Sequence, residues 1–326
     1  MSDGHVVTPM FVGHALGAFA VVAGGARLLG QPRGRSLALG ASAGAFAAAP
    51  DVDILYAPVG LAEAGGVADA AESFWSAGNL VHRAVTHSLV VGTVAALALW
   101  LWSHARSENS NGERAGSLLV LGGLVGVAGV VSGPLGALVM GAFALTSLAI
   151  AELAARYGDL GPKAVFLTAL FGLLSHPFGD LFTGEPPQFL YPFDAQLVSE
   201  RLVFLTDPTL HLLGTFWLEL GTIWLAALVY CELTDRSLAS HVHGRAALGV
   251  AYAAAALALP APTVDSSYEF VFSVLAVGAV GPAPFVRHAH RPRRALDGER
   301  LLTAGLTGLA AVSLASVAYA VVYLVF

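Results

Sequence analysis

Charge is scarce in this chain. Only 12% of its 326 residues are Asp, Glu, Lys or Arg, against about a quarter in soluble domains. That shortage excludes an ordinary water-soluble globule. With 56% hydrophobic residues and a mean hydropathy of +0.72, it points to lipid as the solvent. Cysteine is nearly absent too. Cys231 stands alone, which excludes an internal disulfide and leaves the compartment undecided on that count. The opening "MSDGHVVTPM" lacks the basic stretch that begins a signal peptide, so the first apolar span is expected to be retained. No segment has a disordered composition. The most polar one, "SHARSENSNGERAG" (Ser103 to Gly116), reads as a short loop between two spans.

About 20 apolar residues cross about 30 Å of hydrocarbon. On that ruler the sequence predicts an all-α, polytopic transmembrane helix bundle of about ten spans (8–10): 10–29, 36–50, 86–103, 116–132, 134–155, 163–182, 210–231, 245–260, 268–286 and 301–325. The second, fourth and eighth are short and rich in Ala and Gly. Small-residue spacings such as Gly13/Gly17 and Gly40/Gly44 suit close helix packing in lipid.

Basic residues collect on the cytoplasmic side of membrane proteins. Threading ten helices in order places Arg27, Arg33, Arg35, Arg106, Arg114, Arg156, Lys163, Arg236, Arg245, Arg287, Arg291, Arg293, Arg294 and Arg300 on one face. Only Arg83 and Arg201 fall on the other. An integral inner-membrane, multi-pass protein with both termini outside the cytoplasm is the expectation. The same threading brings four polar segments to the outer face: His14, "APDVD" (Ala49 to Asp53), "HRAVTHS" (His82 to Ser88) and "SHPFGDLFT" (Ser175 to Thr183).

Asp51 and Asp53 follow Pro50 at a helix end. A single acidic residue there would merely mark the return to water. A pair, aimed where histidines also gather, favours metal ligation, and carboxylate oxygen with imidazole nitrogen suits zinc or a similar divalent ion. His82 and His87 are five residues apart, about 140° around an ideal helix, so they do not share a helical face. His82 is expected in the entering turn and His87 inside the first helical turn. His82 and Arg83 could instead be interfacial anchors. Arg83, however, breaks the charge asymmetry and so calls for a partner. An anion held by Arg83, by the Thr86 and Ser88 hydroxyls and by free backbone N–H groups at the helix start would serve; pairing with Asp51 or Asp53 is the alternative.

His176 and Asp180 are four apart, on one face of a helix. Pro177 between them predicts either a kink or a short new helix carrying Asp180, and a plain His–Asp hydrogen bond is the ordinary alternative to ligation. His14, flanked by Gly13 and preceding an apolar stretch, is balanced between core residue and ligand. His5 and His211 read as surface or interfacial, and His104, His241, His243, His288 and His290 as solvated loop residues. Glu219 reads as a polar contact within the bundle.

Taken together, His14, "PDVD" (50–53), "HRAVTHS" (82–88) and "HPFGD" (176–180) resemble the YdjM family of membrane-bound metal-dependent hydrolases. The later "YPFD" (Tyr191 to Asp194) resembles that family's segment after its last metal motif, and the likeness covers roughly the first 200 residues. The family is distantly similar to zinc-dependent phospholipases C and single-strand nucleases. What the resemblance implies is one ion on Asp51 or Asp53, a histidine of "HRAVTHS", His176 and Asp180. His14 and Asp180 would help hold a second. No counterparts of the soluble enzymes' further ligands stand out, which favours one or two metals, zinc foremost. Residues 1–205 would form the hydrolase-like membrane domain and 206–326 additional scaffold helices.

The expected function is metal-dependent hydrolysis of phosphate esters or lipid-linked phosphates at the outer headgroup level. Asp51 or Asp53 would serve as base, with Arg83 and Thr86 neutralising the substrate anion. The expected partners are the bilayer and a small-molecule or lipid phosphate, with no nucleic acid; the oligomeric state stays open. Two rivals are a transporter or metal-ion carrier, since intramembrane Asp and His also mark ion pathways, and a scaffold in which a structural metal ties helices together. Transport sites typically lie nearer the midplane.

Overall fold

A computed structural model describes residues 11–52, 85–182, 186–283 and 298–326. Asp53, His82 and Arg83 lie outside the described residues, as do His5, His288 and His290. The chain divides into two compact units, 1–202 and 203–326.

Among the described residues the first unit holds five α-helices: α1 (Phe11–Leu28), α2 (Arg33–Ala48), α3 (Leu89–Ser107), α4 (Asn111–Tyr157) and α5 (Pro162–Gly179). A 3-10 turn, Asp180–Phe182, follows α5. Pro162 starts α5, where a missing N–H costs nothing. Helix α5 packs against α1, α2 and α3 and so stands at the centre of the unit. Its approach to α2 is backbone to backbone: a Cβ on Gly172 would lie 2.5 Å from the Ala43 carbonyl oxygen. Gly40 and Gly44 do the same for α2 on α1, facing the carbonyls of Phe19 and Ala15, as their spacing predicted. A core of Phe46, Val91, Leu99, Met140, Phe143 and Leu173 fills the space among α2 to α5.

Helix α4 is broken in the middle. Gly133 has φ 72° and ψ −170°, and Pro134 follows; that backbone is open essentially to glycine, and the proline supplies no N–H. A Cβ on Gly136 would sit 2.8 Å from the Ala128 carbonyl oxygen. Eight residues along a straight helix span about 12 Å, so the chain folds back at this point. The expected spans 116–132 and 134–155 are the two arms of one broken helix.

In the second unit, α6 (Pro208–Leu233) packs against α8 (Gly298–Val325). Between them come a 3-10 helix, Gly244–Ala254, running into a single α-turn, Ala255–Ala258, and α7 (Tyr268–Ala276) with a 3-10 turn, Val277–Val280. Leu212, Leu213, Phe216, Phe270, Val274 and Tyr319 form its core. Trp217 and Trp224 donate their indole N–H groups to Ser316 and Ser313 of α8 at 3.1 and 3.0 Å.

Among the described residues all regular structure is helical, which agrees with the expected fold class. The count of ten spans does not hold. Among the described residues five helices are long and apolar enough to cross a membrane: α3, α4, α5 with its 3-10 turn, α6 and α8. Helix α1 is a shorter apolar helix, and the segment expected at 245–260 and the described part, 268–283, of that expected at 268–286 break into 3-10 and short α pieces. Prolines 260, 262 and 282 stand at the ends of those pieces, where each withholds an N–H from any continuing helix.

Candidate metal centre

Within the first unit the basic residues carried by the helices and the polar motifs occupy opposite helix ends. Arg27 closes α1, Arg33 and Arg35 open α2, Arg106 lies in the last turn of α3, and Lys163 opens α5. Arg114 and Arg156 sit at the two ends of the folded-back α4. Arg106 and Arg156 both pair with Glu152, which gathers the ends of α3 and α4 on one side. His14, Asp51, His87, His176 and Asp180 belong to the other.

These five residues meet. Asp51 comes from the turn after α2, His87 from the residues before α3, His176 from the last turn of α5 and Asp180 from the 3-10 turn beyond it. His87 and His176 are 0% exposed, Asp180 4% and Asp51 9%. His87 Nε2 and His176 Nε2 are 3.0 Å apart. Asp51 Oδ1 lies 3.4 Å from His176 Nε2 and 3.9 Å from His87 Nε2. Asp180 Oδ2 lies 3.6 Å from His176 Nε2 and 3.4 Å from His87 Nε2. The donor atoms thus form two triangles sharing the His–His edge. Ligands at about 2.0–2.1 Å from a tetrahedral ion stand about 3.4 Å apart, and these edges scatter around that value. His14 Nε2 reaches the other oxygen of the same carboxylate, Asp180 Oδ1, at 3.2 Å. Two overlapping groups could therefore hold a metal ion, Asp51–His87–His176 and His14–His176–Asp180.

Local structure orients the imidazoles. His176 Nδ1 lies 2.6 Å from the Ala47 carbonyl oxygen. A carbonyl only accepts, so Nδ1 carries the hydrogen and neutral His176 presents a bare Nε2 to the cluster. His87 Nδ1 lies 3.0 Å from the Thr86 hydroxyl, the kind of outer partner that fixes a ligating histidine. The His14 ring fills the space over Gly179, where a Cβ would come within 2.3 Å of Cε1. Two buried carboxylates facing imidazole nitrogens are expensive without a compensating charge, several kcal/mol per uncompensated ion. A cation between them removes that cost.

Several expectations change. Helix α3 begins at Leu89 with Ser88 as its cap, so His87 precedes the helix instead of lying in its first turn. The amides expected to be free there all have protein acceptors. Leu89 N–H donates to the Phe189 carbonyl at 2.9 Å and Gly92 N–H to the Ser88 carbonyl at 2.8 Å. Val90 and Val91 N–H donate to Ser88 Oγ. Among the described residues these four amides are thus committed within the protein, and the Thr86 hydroxyl lies 3.0 Å from His87 Nδ1. Helix α5 continues through Pro177 to Gly179, and Asp180 opens a separate 3-10 turn while keeping the four-residue register with His176.

His211 is buried and accepts from the Phe204 N–H at 3.3 Å. His241 is buried as well, 2.8 Å from Glu299 Oε2. The "YPFD" segment holds the α3 start: Ser88 Oγ–H points at the Tyr191 carbonyl, 2.7 Å away, and at that of Phe189, 3.1 Å away. The Ala47 carbonyl and Gly179 went unread in the sequence. A backbone acceptor has no signature there, and a glycine that makes room for an imidazole ring looks like any other.

Fold and cluster together define a membrane protein of helices whose buried His/Asp group could hold a metal ion. The chain belongs to the YdjM inner membrane protein family, whose model matches residues 10–259. The match runs past the 200 residues over which motifs are readable and into the second unit. No curated protein and no solved structure matches the chain.

Proposed function

We propose that the protein is a membrane-embedded, metal-dependent hydrolase of phosphate esters or lipid-linked phosphates. The observation that carries the reading is the meeting of His87 Nε2, His176 Nε2, Asp51 Oδ1 and Asp180 Oδ2 at edges of 3.0–3.9 Å. Those four atoms would hold the first ion, and the nitrogen–oxygen set suits zinc. His14, on the far oxygen of Asp180, would help hold a second. A bound divalent ion supplies an acidified water and offsets charge on a phosphoryl oxygen.

The chain's own residues do the rest. Ala47 and Thr86 keep the two imidazole rings aimed at the centre, and Asp51 can take a proton through whichever oxygen is not engaged in ligation. Asp53 and Arg83 would serve as alternative base and anion partner. The concentration of basic residues at the opposite helix ends supports a cluster, and both termini, outside the cytoplasm.

The test is hydrolysis of a phosphodiester panel by purified protein with and without chelator, alongside bound-metal analysis. Chelator-sensitive turnover, lost in His176→Ala, is expected. Full metal loading with no turnover of any ester would overturn the hydrolase reading and leave a metal that ties α2, α3 and α5 together.

A further inference from the structure

The segment between α5 and α6 is fastened at both ends beside the cluster. At one end the carbonyls of Phe189 and Tyr191 receive the Ser88 hydroxyl, one residue from His87. At the other, Leu202 N–H donates to the Leu181 carbonyl at 2.7 Å, one residue from Asp180. Between these fastenings the backbone is not helical. Its larger apolar side chains turn outward nonetheless, with Phe193 64% and Leu197 61% exposed. Phe178, at the end of α5, is half exposed and packs on Phe189 with ring centroids 5.3 Å apart.

An irregular backbone, lacking the continuous hydrogen-bond ladder of a helix, cannot sit in hydrocarbon facing lipid. Exposed aromatic and leucine side chains on a membrane protein at the level where spans end match the headgroup–acyl boundary. The neighbouring charges of Asp194, Glu200 and Arg201 mark the watery side of that boundary. We propose that residues 188–202 form an interfacial strap whose Phe193 and Leu197 side chains dip into the bilayer surface. The strap holds the rim of the cluster against the lipid, so the ester that reaches it arrives as the headgroup of a membrane amphiphile. This last step rests on the hydrolase reading; the membrane contact of the strap does not.

The test uses full-length protein carrying Cys231→Ser, with a fluorophore on Phe193→Cys, Leu197→Cys or Asp194→Cys, in phosphatidylethanolamine–phosphatidylglycerol vesicles. Labels at 193 and 197 are expected to be quenched several-fold more by shallow nitroxide lipids than by a water-soluble paramagnetic agent, and the 194 label in the reverse order. Equal access of the soluble agent to all three sites overturns the strap. In a second arm, Phe193→Asp/Leu197→Asp is expected to lower several-fold the ratio of vesicle phospholipid turnover to turnover of soluble bis(4-nitrophenyl) phosphate. An unchanged ratio overturns delivery from the membrane. If the parent protein cleaves neither ester, the hydrolase reading fails, and the labels alone still decide the strap.

Discussion

Substituting Gly179→Ala sets two effects against each other. Alanine is favoured over glycine within a helix by up to about 1 kcal/mol, and Gly179 is the last residue of α5. Against that, the new methyl would lie 2.3 Å from His14 Cε1 and 2.5 Å from Nδ1. Ordinary carbon contacts begin near ~3.5 Å, so the ring must retreat by roughly 1 Å. His14 Nε2 starts 3.2 Å from Asp180 Oδ1, and a retreat of that size ends the hydrogen bond. Overpacking costs about 1–3 kcal/mol, and a buried hydrogen bond to a charged group contributes a further ~1.5–3 kcal/mol. The clash wins, and Gly179→Ala is expected to destabilise by about 1.5–5 kcal/mol once the helix gain is subtracted. In a His14→Ala background the obstacle is gone and only the helix gain remains, so the same substitution should stabilise slightly. Reversible unfolding in detergent of the four members of this cycle reads the sign in each background. A Gly179→Ala protein as stable as the parent, or an equal loss in both backgrounds, would show that His14 does not lie over Gly179.

Thr86→Val should weaken zinc binding by about 10–100-fold, as loss of an outer partner of a ligating histidine does, while Thr86→Ser restores it; competition with a chelating dye measures both. Ser88→Ala removes a cap shared by two amides and two carbonyls, and should cost about 1–2 kcal/mol or more in unfolding experiments. His241 has its pKa raised by its hydrogen bond to the Glu299 carboxylate and by the Ser237 carbonyl. A raised folded value means that its contribution is complete below the ordinary 6.5 and fades as pH climbs through the folded value. Thermal unfolding across that window should show a decline that His241→Gln lacks.

The sequence was most legible where chemistry is rare. His14, Asp51, His87, His176 and Asp180 could be brought to one face because charge asymmetry orders helix ends even when the helix count is wrong. Merging 116–132 and 134–155 into one broken helix leaves both outer ends on the basic side, so the miscount left the polar motifs together. Backbone placement was less legible. The start of α3 depends on Ser88 meeting carbonyls a hundred residues away, and nothing local announces that Phe189 and Tyr191 will take up the donors. His211 reads as interfacial because it stands near the start of its span, and His241 as a loop residue because polar and basic residues surround it; neither neighbourhood announces Phe204, whose ring lies 6.0 Å from that of His211, or Glu299, which meets His241 across 58 residues.

The most direct measurement is X-ray absorption at the zinc edge on protein loaded with zinc and freed of excess metal. The account predicts bound zinc with two imidazole nitrogens and carboxylate oxygens at about 2.0–2.2 Å, the nitrogen signal falling in His176→Ala and again in His87→Ala. Protein that retains no zinc, or a spectrum unchanged by both substitutions, would contradict it.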